Sequence, residues 1–471
     1  MILYEFTLKL IYYTDVFIIW YFLWINSIYI ILVLLSIPDL YERFKEINSE
    51  DIDNILKSES VPPITIIAPA YNEQENIVTS INAMLHLSYR HIEVVVVNDG
   101  SKDDTLNQVI RAFECYKIPP AIPNYIKTKP VRDYYRSRIY SNLLLIDKEN
   151  GGKADSLNAG INGATSPFFM ACDADTLIEK DALKRMIRPV LMRKNTIACG
   201  GTIRIVNDCK VENGNVVKVN YPKNYLAAIQ AVEYLRAFLF GRLGWNKLGG
   251  NLIISGAFGL FNREVVLEAG AYRTDTVGED MELTVRLHRL MLEKHKPYRI
   301  DFIPDPVAWT EVPSNLKVLA RQRERWHRGL IDTLIRHRKM LFNFSYGQIG
   351  IVSYPFFVFG EMLAPVFEIL GYIGVILGLY FGLINIPFAI LFFLVAWGLM
   401  LILTLFSVFM EETSFRKYNN QSDIFKMFAC SVLENAGYRQ MTVWFRLQAF
   451  WKYLKKDKKW GEMTRSGFNK K

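Results

Sequence analysis

Long uncharged stretches near both ends of the chain flank a central part in which apolar runs alternate with amphipathic ones. The first stretch, Val16–Ile37, contains no charged residue and is followed by Pro38. At 1.5 Å per residue, a helix of this length crosses a hydrocarbon core of about 30 Å. It is longer than the apolar part of a cleavable signal peptide, and no basic n-region precedes it. Residues 1–38 are therefore predicted to form a transmembrane helix.

The second uncharged stretch, Ile369–Met410, is too long for a single crossing. An Asn-Ile-Pro sequence inside it offers a turn, so two antiparallel helices are expected. Upstream, residues 349–359 are apolar and either lie in the membrane interface or begin a kinked span. Glu361 and Glu368, which follow, are either pore-facing or partner-facing groups or interfacial ones. Residues 349–410 are predicted as the C-terminal transmembrane helices, which makes three crossings in the chain.

The segment between these spans alternates short β-branched or apolar runs with stretches of helical periodicity. Strands are predicted at 64–68, 91–97, 143–146 and 167–172, and helices at 75–87, 153–163 and 281–292. Such alternation is typical of a mostly parallel sheet with flanking helices. The predicted fold class is therefore α/β, in a domain of residues 39–315. In such sheets ligands bind at the carboxyl ends of strands, where the polar clusters of this chain lie.

Three polar clusters follow predicted strands: Pro69–Glu73, Asn98–Asp103 and Glu149–Gly160. An acidic residue just past a strand can hydrogen-bond a ribose or a base edge, although N-D-G-S is also a common turn. In the third cluster two glycines and Lys153 open a helix, and phosphate oxygens suit its positive end. A glycine-rich turn with a surface lysine is the alternative, and the Walker A pattern is not matched.

A pair of carboxylates, Asp173 and Asp175, follows the strand that ends at Cys172. Two carboxylates at this spacing can share a hard divalent cation with a diphosphate. D-x-D is frequent by chance. Its position after an apolar strand, downstream of two comparable loops, makes the signal specific.

Two later clusters complete the set of candidate side chains. Glu279 and Asp280 precede a predicted helix, where acids either cap the helix or supply a buried general base for a sugar hydroxyl. Gln322, Arg325 and Trp326 lie in a basic helical stretch. Arginine can pair with a diphosphate through two hydrogen bonds, and a tryptophan ring can stack on the apolar face of a sugar. Taken without the other motifs, this stretch would be read as a basic helix near a membrane.

Composition and charge narrow the class of protein. A hydrophobic content of 51% with 22% charged residues excludes an intrinsically disordered chain. The net charge of +9 would by itself suit nucleic acid or an anionic membrane surface. However, residues 411–471 hold 13 Lys and Arg against 6 Asp and Glu, a net charge of +7. Nucleic-acid binding is not supported, because no basic and aromatic module occurs between the spans.

The charge distribution also predicts topology. The positive-inside rule places residues 411–471 in the cytoplasm as a basic amphipathic tail, and residues 39–348 with them. An interfacial tail is favoured over a fourth crossing. The five cysteines are scattered and show no C-x-x-C spacing, so reduced thiols fit better than a disulfide framework or a zinc site.

Together, and in this order, the motifs resemble the membrane-integrated, processive members of glycosyltransferase family 2. Cellulose, chitin, hyaluronan and poly-N-acetylglucosamine synthases belong there, and the last group is the most similar. The resemblance spans about residues 16–410. It implies a glycosyltransferase-A-like, Rossmann-like catalytic domain, with the Q-x-x-R-W helix in residues 316–348.

The resemblance also implies roles for individual residues. Uridine would be held by Tyr71, Glu73 and Asp99, and Lys153 would meet the phosphate side of the nucleotide. Asp173 would contact ribose and diphosphate and share a Mg²⁺ or Mn²⁺ ion with Asp175. Asp280 would be the catalytic base. The diphosphate would be clamped by Gln322 and Arg325, and the acceptor sugar would be bordered by Trp326, Ser255 and Gly256.

The implied function is inverting, metal-dependent transfer of a sugar from a UDP-sugar to a growing β-linked extracellular polysaccharide. The enzyme would lie in the plasma membrane with a cytoplasmic catalytic domain. UDP-N-acetylglucosamine is the first choice of donor and UDP-glucose the second. The expected partners are this UDP-sugar, a polysaccharide or lipid acceptor and membrane lipids, with room for a small accessory subunit.

Two alternatives stay open. A non-processive transferase that adds one sugar to a lipid acceptor would share the fold and the D-x-D pair. A non-catalytic membrane protein would be expected to lack a key acid, yet Asp99, Asp173, Asp175 and Asp280 are all present. The chain departs from the family at Gly278, where threonine is frequent, and it shows no R-x-x-x-R motif of a cyclic-di-GMP-binding module after the last span.

Overall fold

The computed structural model describes residues 2–47, 54, 56, 58, 61–212, 214–415, 417–418 and 420–455. Within these residues a ten-stranded sheet forms the centre of the molecule, and a separate two-stranded hairpin packs against it. The strands are β1 Ile64–Ala70, β2 Ile92–Asp99, β3 Cys115–Ile118, β4 Val131–Ser137, β5 Leu143–Lys148, β6 Phe168–Cys172, β7 Leu177–Ile178, β8 Thr196–Ile205, β9 Lys210–Glu212, β10 Asn215–Lys218, β11 Phe258–Asn262 and β12 Arg299–Thr310. The order in the large sheet is β3-β4-β5-β2-β1-β6-β11-β8-β12-β7.

Four neighbouring strands at the middle of the sheet, β5, β2, β1 and β6, run parallel. Their continuous apolar runs follow from burial on both faces, and Val94–Val97 of β2 are all fully buried. The predicted α/β class with a parallel centre is confirmed. The structure adds antiparallel neighbours that the alternation of elements did not predict, above all β11 between β6 and β8.

Helices cover both faces of the sheet and extend beyond it. They are α1 Ile2–Ile47, α2 Ile77–Leu85, α3 Thr105–Ala112, α4 Lys153–Gly163, α5 Ala182–Met192, α6 Tyr225–Arg236, α7 Leu243–Lys247, α8 Arg263–Glu268, α9 Glu279–Glu293, α10 Leu316–Arg336, α11 Ala364–Tyr380, α12 Ile386–Ser414, α13 Gln421–Leu433 and α14 Arg439–Leu454. π-Helical turns at Ala237–Arg242, Ile349–Ser353, Phe356–Met362 and Glu434–Tyr438 join several of them. Helix α4 has the bounds that the periodicity predicts.

Two described helices are long and apolar enough to cross a membrane, with the spans Glu5–Pro38 in α1 and Ala389–Ser414 in α12. The pair Ile349–Met362 and Ala364–Tyr380, bent by 50°, counts as a third if it forms one span. The sequence predicted that the first helix ends at Pro38, but α1 continues through this proline to Ile47. A proline removes a single backbone hydrogen bond, and the sequence that follows is rich in helix formers.

An ion pair ties the sheet to the last apolar helix. Arg204 of β8 donates two hydrogen bonds to the carboxylate of Glu411 in α12, and both side chains are 2% exposed. Trp309 and Phe415 flank the guanidinium, with ring centroids 6.0 and 5.6 Å from its carbon. A buried bidentate pair of this kind orients both elements, so β8 and α12 are held in one arrangement.

The C-terminal helix α14 packs along α10, the helix of the Q-x-x-R-W motif. Lys452 lies 2.7 Å from the carboxylate of Glu324, and Arg446 lies 3.3 Å from the ring of His327. Helix α14 therefore packs against α10 and fixes its position through these polar contacts. Residues 456–471, which carry part of the predicted basic tail, lie outside the described residues, and the interfacial position of the tail stays a prediction.

Candidate functional site

A cavity of about 2530 Å³ opens where β1, β2 and β6 end and continues between α1, α11 and α12. The three strands are parallel, so their carboxyl ends meet at the same edge of the sheet. All residues that the sequence predicted for the site line this cavity: Tyr71, Glu73, Asp99, Lys153, Asp173, Asp175, Ser255, Gly256, Asp280, Gln322, Arg325 and Trp326. The structure thus brings together side chains that are up to 255 positions apart in the chain.

The loop after β1 is held by the loop after β2. The amide of Asn72 donates to Ser101 Oγ at 3.0 Å, and the amide of Glu73 donates to Thr105 Oγ1 at 2.8 Å. Asn72 has a positive φ of 55°, a conformation that asparagine adopts more readily than most residues. This loop presents Tyr71 at the cavity with 43% of its side chain exposed.

Asp99 organises the glycine loop that precedes α4. Its two carboxylate oxygens accept the amides of Gly151 at 2.9 Å and Gly152 at 2.8 Å. Gly152 has a φ of +86°, which favours glycine, so the backbone can direct both amides at the carboxylate. The loop therefore places Lys153 at the start of α4.

Lys148, which the sequence analysis missed, is fully buried behind this loop. Its ammonium lies 2.8 Å from Asp99, 2.7 Å from Asp155 and 2.6 Å from the carbonyl of Glu149. The three N–H bonds of the ammonium are thereby matched by three acceptors. Its position at the end of β5, next to the E-N-G-G-K cluster, was the signal that could have identified it.

We expect Lys148→Met to lower the free energy of unfolding by about 3–5 kcal/mol, because it leaves two buried carboxylates without their cation. Thermal or denaturant unfolding of the detergent-solubilised protein measures this change. The matched control is Lys117→Met, which removes an exposed lysine whose carboxylate partner is Asp133. An equal effect of the two substitutions would contradict a structural role for Lys148.

A second cluster of charges surrounds Lys153. Its ammonium forms an ion pair with Asp173, donates to the carbonyl of Gly256 at 2.9 Å and lies 3.8 Å from Glu279. Burial acts to lower the pKa of Lys153, but the negative charges of Asp173 and Glu279 outweigh it and the pKa is raised. Burial raises the pKa of Glu279, against the pull of Lys153. This lysine is therefore held as a cation among the acids.

Asp280 is fixed at the start of α9 by two backbone amides. Its Oδ2 accepts the amide of Gly256 at 2.9 Å, and its Oδ1 accepts the amide of Met281 at 2.8 Å. A Cβ at Gly256 would stand 3.1 Å from Asp280 Oδ2 and 3.2 Å from Lys153 Nζ. Glycine at position 256 lets the backbone pass between the carboxylate of Asp280 and the ammonium of Lys153.

Gly278 stands where the family frequently has threonine, and the structure shows why glycine is needed here. A Cβ there would lie 2.8 Å from the Cα of Gly329, and a Cβ at Gly329 would lie 2.8 Å from the Cα of Gly278. The two glycines allow the start of α9 to touch α10. Threonine would not fit this contact, which brings Asp280 close to the helix of Gln322 and Arg325.

Helix α10 presents three of the predicted side chains to the cavity. Gln322 is buried, and its Oε1 has no hydrogen-bond partner among the described residues. Trp326 is 42% exposed, and the guanidinium carbon of Arg323 lies 4.8 Å from its ring centroid. An unsatisfied buried acceptor beside an exposed ring is suited to a polar ligand that also has an apolar face.

The two carboxylates of the D-x-D motif fit a divalent cation only with help from a ligand. In the described residues no group of three or more His, Cys, Asp or Glu side chains could hold a metal ion. Asp173 has 27% of its side chain exposed, and Asp175 is buried at the cavity wall. Mg²⁺ is commonly bound by one or two carboxylates together with substrate phosphates and water. The residues present therefore fit a cation shared with a diphosphate.

Glu361 and Glu368 both line the cavity, and their assignment as pore-facing, partner-facing or interfacial groups stays a prediction. Glu361 lies 3.5 Å from Arg446, and Glu368 lies 3.2 Å from Arg439. Their partners are at least 71 positions away in the chain, so no local pattern could have revealed these pairs.

Comparison with known proteins identifies the family. A model described as "Glycosyl transferase family group 2" matches residues 168–410, which is more than half of the chain, and one described as "Glycosyl transferase family 2" matches residues 65–122. Two solved structures have low similarity scores. A mannosyltransferase from Pyrobaculum calidifontis in complex with GDP-Man and Mn²⁺ is 17% identical, with 88% of this chain and 99% of that one covered and a TM-score of 0.48. Glucosyl-3-phosphoglycerate synthase from Mycobacterium tuberculosis is 13% identical, with 60% and 83% covered and a TM-score of 0.36.

Curated relatives include poly-beta-1,6-N-acetyl-D-glucosamine synthases of staphylococci. The protein of Staphylococcus aureus (strain COL) is 29% identical over 274 residues, 58% of this chain and 56% of the relative. The protein of Staphylococcus epidermidis is 28% identical over 285 residues, which are 60% of this chain and 58% of the relative. The match thus spans little more than half the length of these relatives. The extent of the first family match nevertheless shows that the chain belongs to the glycosyl transferase family group 2.

Proposed function

We propose that this protein is a membrane enzyme that transfers a sugar from a UDP-sugar to a growing β-linked polysaccharide. The observation that carries the proposal is a continuous cavity that runs from the predicted donor and base residues to the space between α1, α11 and α12. The relatives named as poly-beta-1,6-N-acetyl-D-glucosamine synthases support N-acetylglucosamine as the transferred sugar. UDP-glucose is the second choice of donor.

The nucleotide would lie at the carboxyl ends of β1 and β2. Tyr71 offers an exposed ring and Glu73 a carboxylate at this edge of the cavity. The carboxylate of Asp99 has about four lone-pair sites, and three of them accept hydrogen bonds from Gly151, Gly152 and Lys148. One site on Oδ2 stays available to the uridine. In this proposal Asp99 therefore both orients the glycine loop and contacts the nucleoside.

The diphosphate would lie between α4 and α10. Lys153 and Arg325 supply positive charge there, and Gln322 supplies hydrogen-bonding groups. Asp173 and Asp175 would hold Mg²⁺ or Mn²⁺, which when bound supplies charge that stabilises the departing UDP. Lys153 would then exchange its ion pair with Asp173 for the phosphate oxygens. Cations aimed at the leaving group act where negative charge grows in the transition state.

Asp280 is the proposed base of the transfer. It accepts the proton of an acceptor hydroxyl while that oxygen forms a bond to the anomeric carbon and the bond from this carbon to UDP breaks. A single displacement inverts the anomeric centre, so an α-linked donor yields a β-linked product. Because two backbone amides hold the carboxylate, its orientation is set before the acceptor binds. Trp326, Ser255 and Gly256 would border the acceptor sugar.

The product would leave along the same cavity. Beyond Trp326 the wall includes the aromatic rings of Tyr21, Tyr29 and Trp397, which suit the apolar faces of sugars. The proposal includes three further points. The apolar helices cross the membrane, the catalytic domain is cytoplasmic, and the polymer is exported. A transferase that adds one sugar to a lipid is the alternative, and the continuation of the cavity between the apolar helices favours a polymer.

We expect membranes that contain the protein to release UDP from UDP-N-acetylglucosamine and to make a polymer that a matching glycosidase degrades. UDP release from a panel of UDP-sugars and sizing of the product measure both. Chelation with EDTA is expected to stop the reaction, and Mg²⁺ or Mn²⁺ to restore it. A glycolipid carrying one sugar as the only product would overturn the polymerase proposal, and the absence of UDP release from every donor would overturn the transfer itself.

A further inference from the structure

Most arginines that line the cavity wall are neutralised by a glutamate. The distances from a guanidinium nitrogen to a carboxylate oxygen in these pairs are 2.5 Å for Arg236–Glu434, 2.7 Å for Arg323–Glu233, 3.2 Å for Arg439–Glu368 and 3.5 Å for Arg446–Glu361. A cation removed from water needs a counter-charge or hydrogen-bond acceptors, because its desolvation is costly. These four pairs satisfy that need within the protein.

Arg242 lines the same cavity but lacks such a partner. Among the described residues no carboxylate lies within 4.0 Å of it and none accepts a hydrogen bond from it, and its Nη1 is buried. Its guanidinium carbon lies 4.2 Å from the ring centroid of Phe238 and 5.8 Å from that of Phe302. Stacking on rings leaves the in-plane N–H groups available to a ligand.

The electrostatic surroundings agree with this geometry. Burial lowers the pKa of Arg242 to about 10, against the opposing negative charge of Asp280. Arg242 and Asp280 line the same cavity, and the guanidinium stays protonated at neutral pH.

The turn that carries Arg242 contacts both α1 and α12. Arg242 ends this π-helical turn, Ala237–Arg242, and is followed by α7, which packs against α1. Trp245 in α7 packs on Phe356, whose ring centroid is 5.0 Å away. π-Helical turns occur frequently at functional sites. Because α1 and α12 also line the cavity, Arg242 adjoins the part of it that continues between the apolar helices.

We propose that Arg242 is a saccharide-binding residue of the acceptor path, which donates hydrogen bonds to hydroxyl or acetamido oxygens of the glycan next to Asp280. The proposal rests on the proposed function, since the ligand is its acceptor. Neutral sugar oxygens satisfy the N–H groups of the guanidinium, and the aromatic rings hold its plane. The guanidinium presents several N–H donors in one plane, so it can bind two sugar oxygens at once. A lysine ammonium, which is a point charge, cannot reproduce this geometry.

The test compares the wild type with Arg242→Gln and Arg242→Lys in detergent or membranes. The acceptor is a short β-1,6-linked N-acetylglucosamine oligosaccharide at saturating UDP-N-acetylglucosamine. We expect Arg242→Gln to raise the acceptor KM about tenfold, the loss of one charge-assisted contact. Arg242→Lys, which keeps the charge and loses the fork, is expected to raise it about threefold. UDP affinity, measured by calorimetry, is expected to stay unchanged.

Arg289→Gln is the matched control, because Arg289 pairs with Glu293 on α9 and does not line the cavity. It is expected to leave the acceptor KM unchanged. A parallel loss of UDP affinity in Arg242→Gln would assign the contact to the diphosphate and overturn the proposal, as would an unchanged acceptor KM. If Arg242→Gln does not fold, the KM of Arg242→Lys decides in the same way. Failure of the wild type to use any acceptor would instead refute the proposed function.

Discussion

Asp280→Asn is expected to lower turnover of the UDP-sugar by about a thousandfold and to leave UDP affinity unchanged. General-base catalysis contributes about 10²–10⁴ to a rate, and asparagine cannot accept the proton of the acceptor hydroxyl. UDP release under saturating donor measures turnover, and calorimetry measures UDP binding. The carboxylate accepts amides from Gly256 and Met281 on separate oxygens, and asparagine offers a single acceptor oxygen. Unfolding should therefore be followed in parallel.

The matched control for this substitution is Glu279→Gln. Glu279 precedes Asp280 in α9, is buried at the same cavity wall and lies 3.8 Å from Lys153. We expect it to lose less activity than Asp280→Asn. If Glu279→Gln abolished turnover while Asp280→Asn retained it, the base would have to be assigned to Glu279.

Asp175→Asn should reduce turnover at least about a hundredfold and abolish its dependence on Mg²⁺ or Mn²⁺. A bound cation supplies several kcal/mol of charge stabilisation, and a neutral amide at the cavity wall weakens its site. Titration of the metal-free protein with MgCl₂ or MnCl₂, with UDP release as the readout, measures the effect.

Asp181→Asn serves as its control, since Asp181 is a half-exposed acid whose partner, Lys184, lies 3.2 Å away on the surface. The control is expected to keep the metal dependence of the wild type. A normal cation response in Asp175→Asn would remove Asp175 from the metal site.

The sequence predicted β1, β2, β5 and β6, the strands that form the parallel centre of the sheet. Val94–Val97 form an uninterrupted β-branched run because both faces of β2 are covered, and α4 begins after two glycines as the pattern indicates. The motif residues that follow β1, β2 and β6 were expected to lie together, since the carboxyl ends of parallel strands share one edge of a sheet. Strand β11 escaped prediction because its pairing depends on β6 and β8, which are distant in the chain.

The local order of apolar and polar residues by itself determined the apolar helices, the parallel centre of the sheet and the set of acids at its edge. Within a helix or a strand, buried positions recur at a fixed spacing along the chain. The spacing of apolar residues in the sequence therefore predicts the element. Only the tertiary structure decided which charges meet. Lys148 is neutralised by Asp99 and Asp155, Arg204 finds Glu411 207 positions away, and Arg242 finds no carboxylate among the described residues. Charge pairing depends on distances of a few ångströms between separate elements, and packing alone sets those distances.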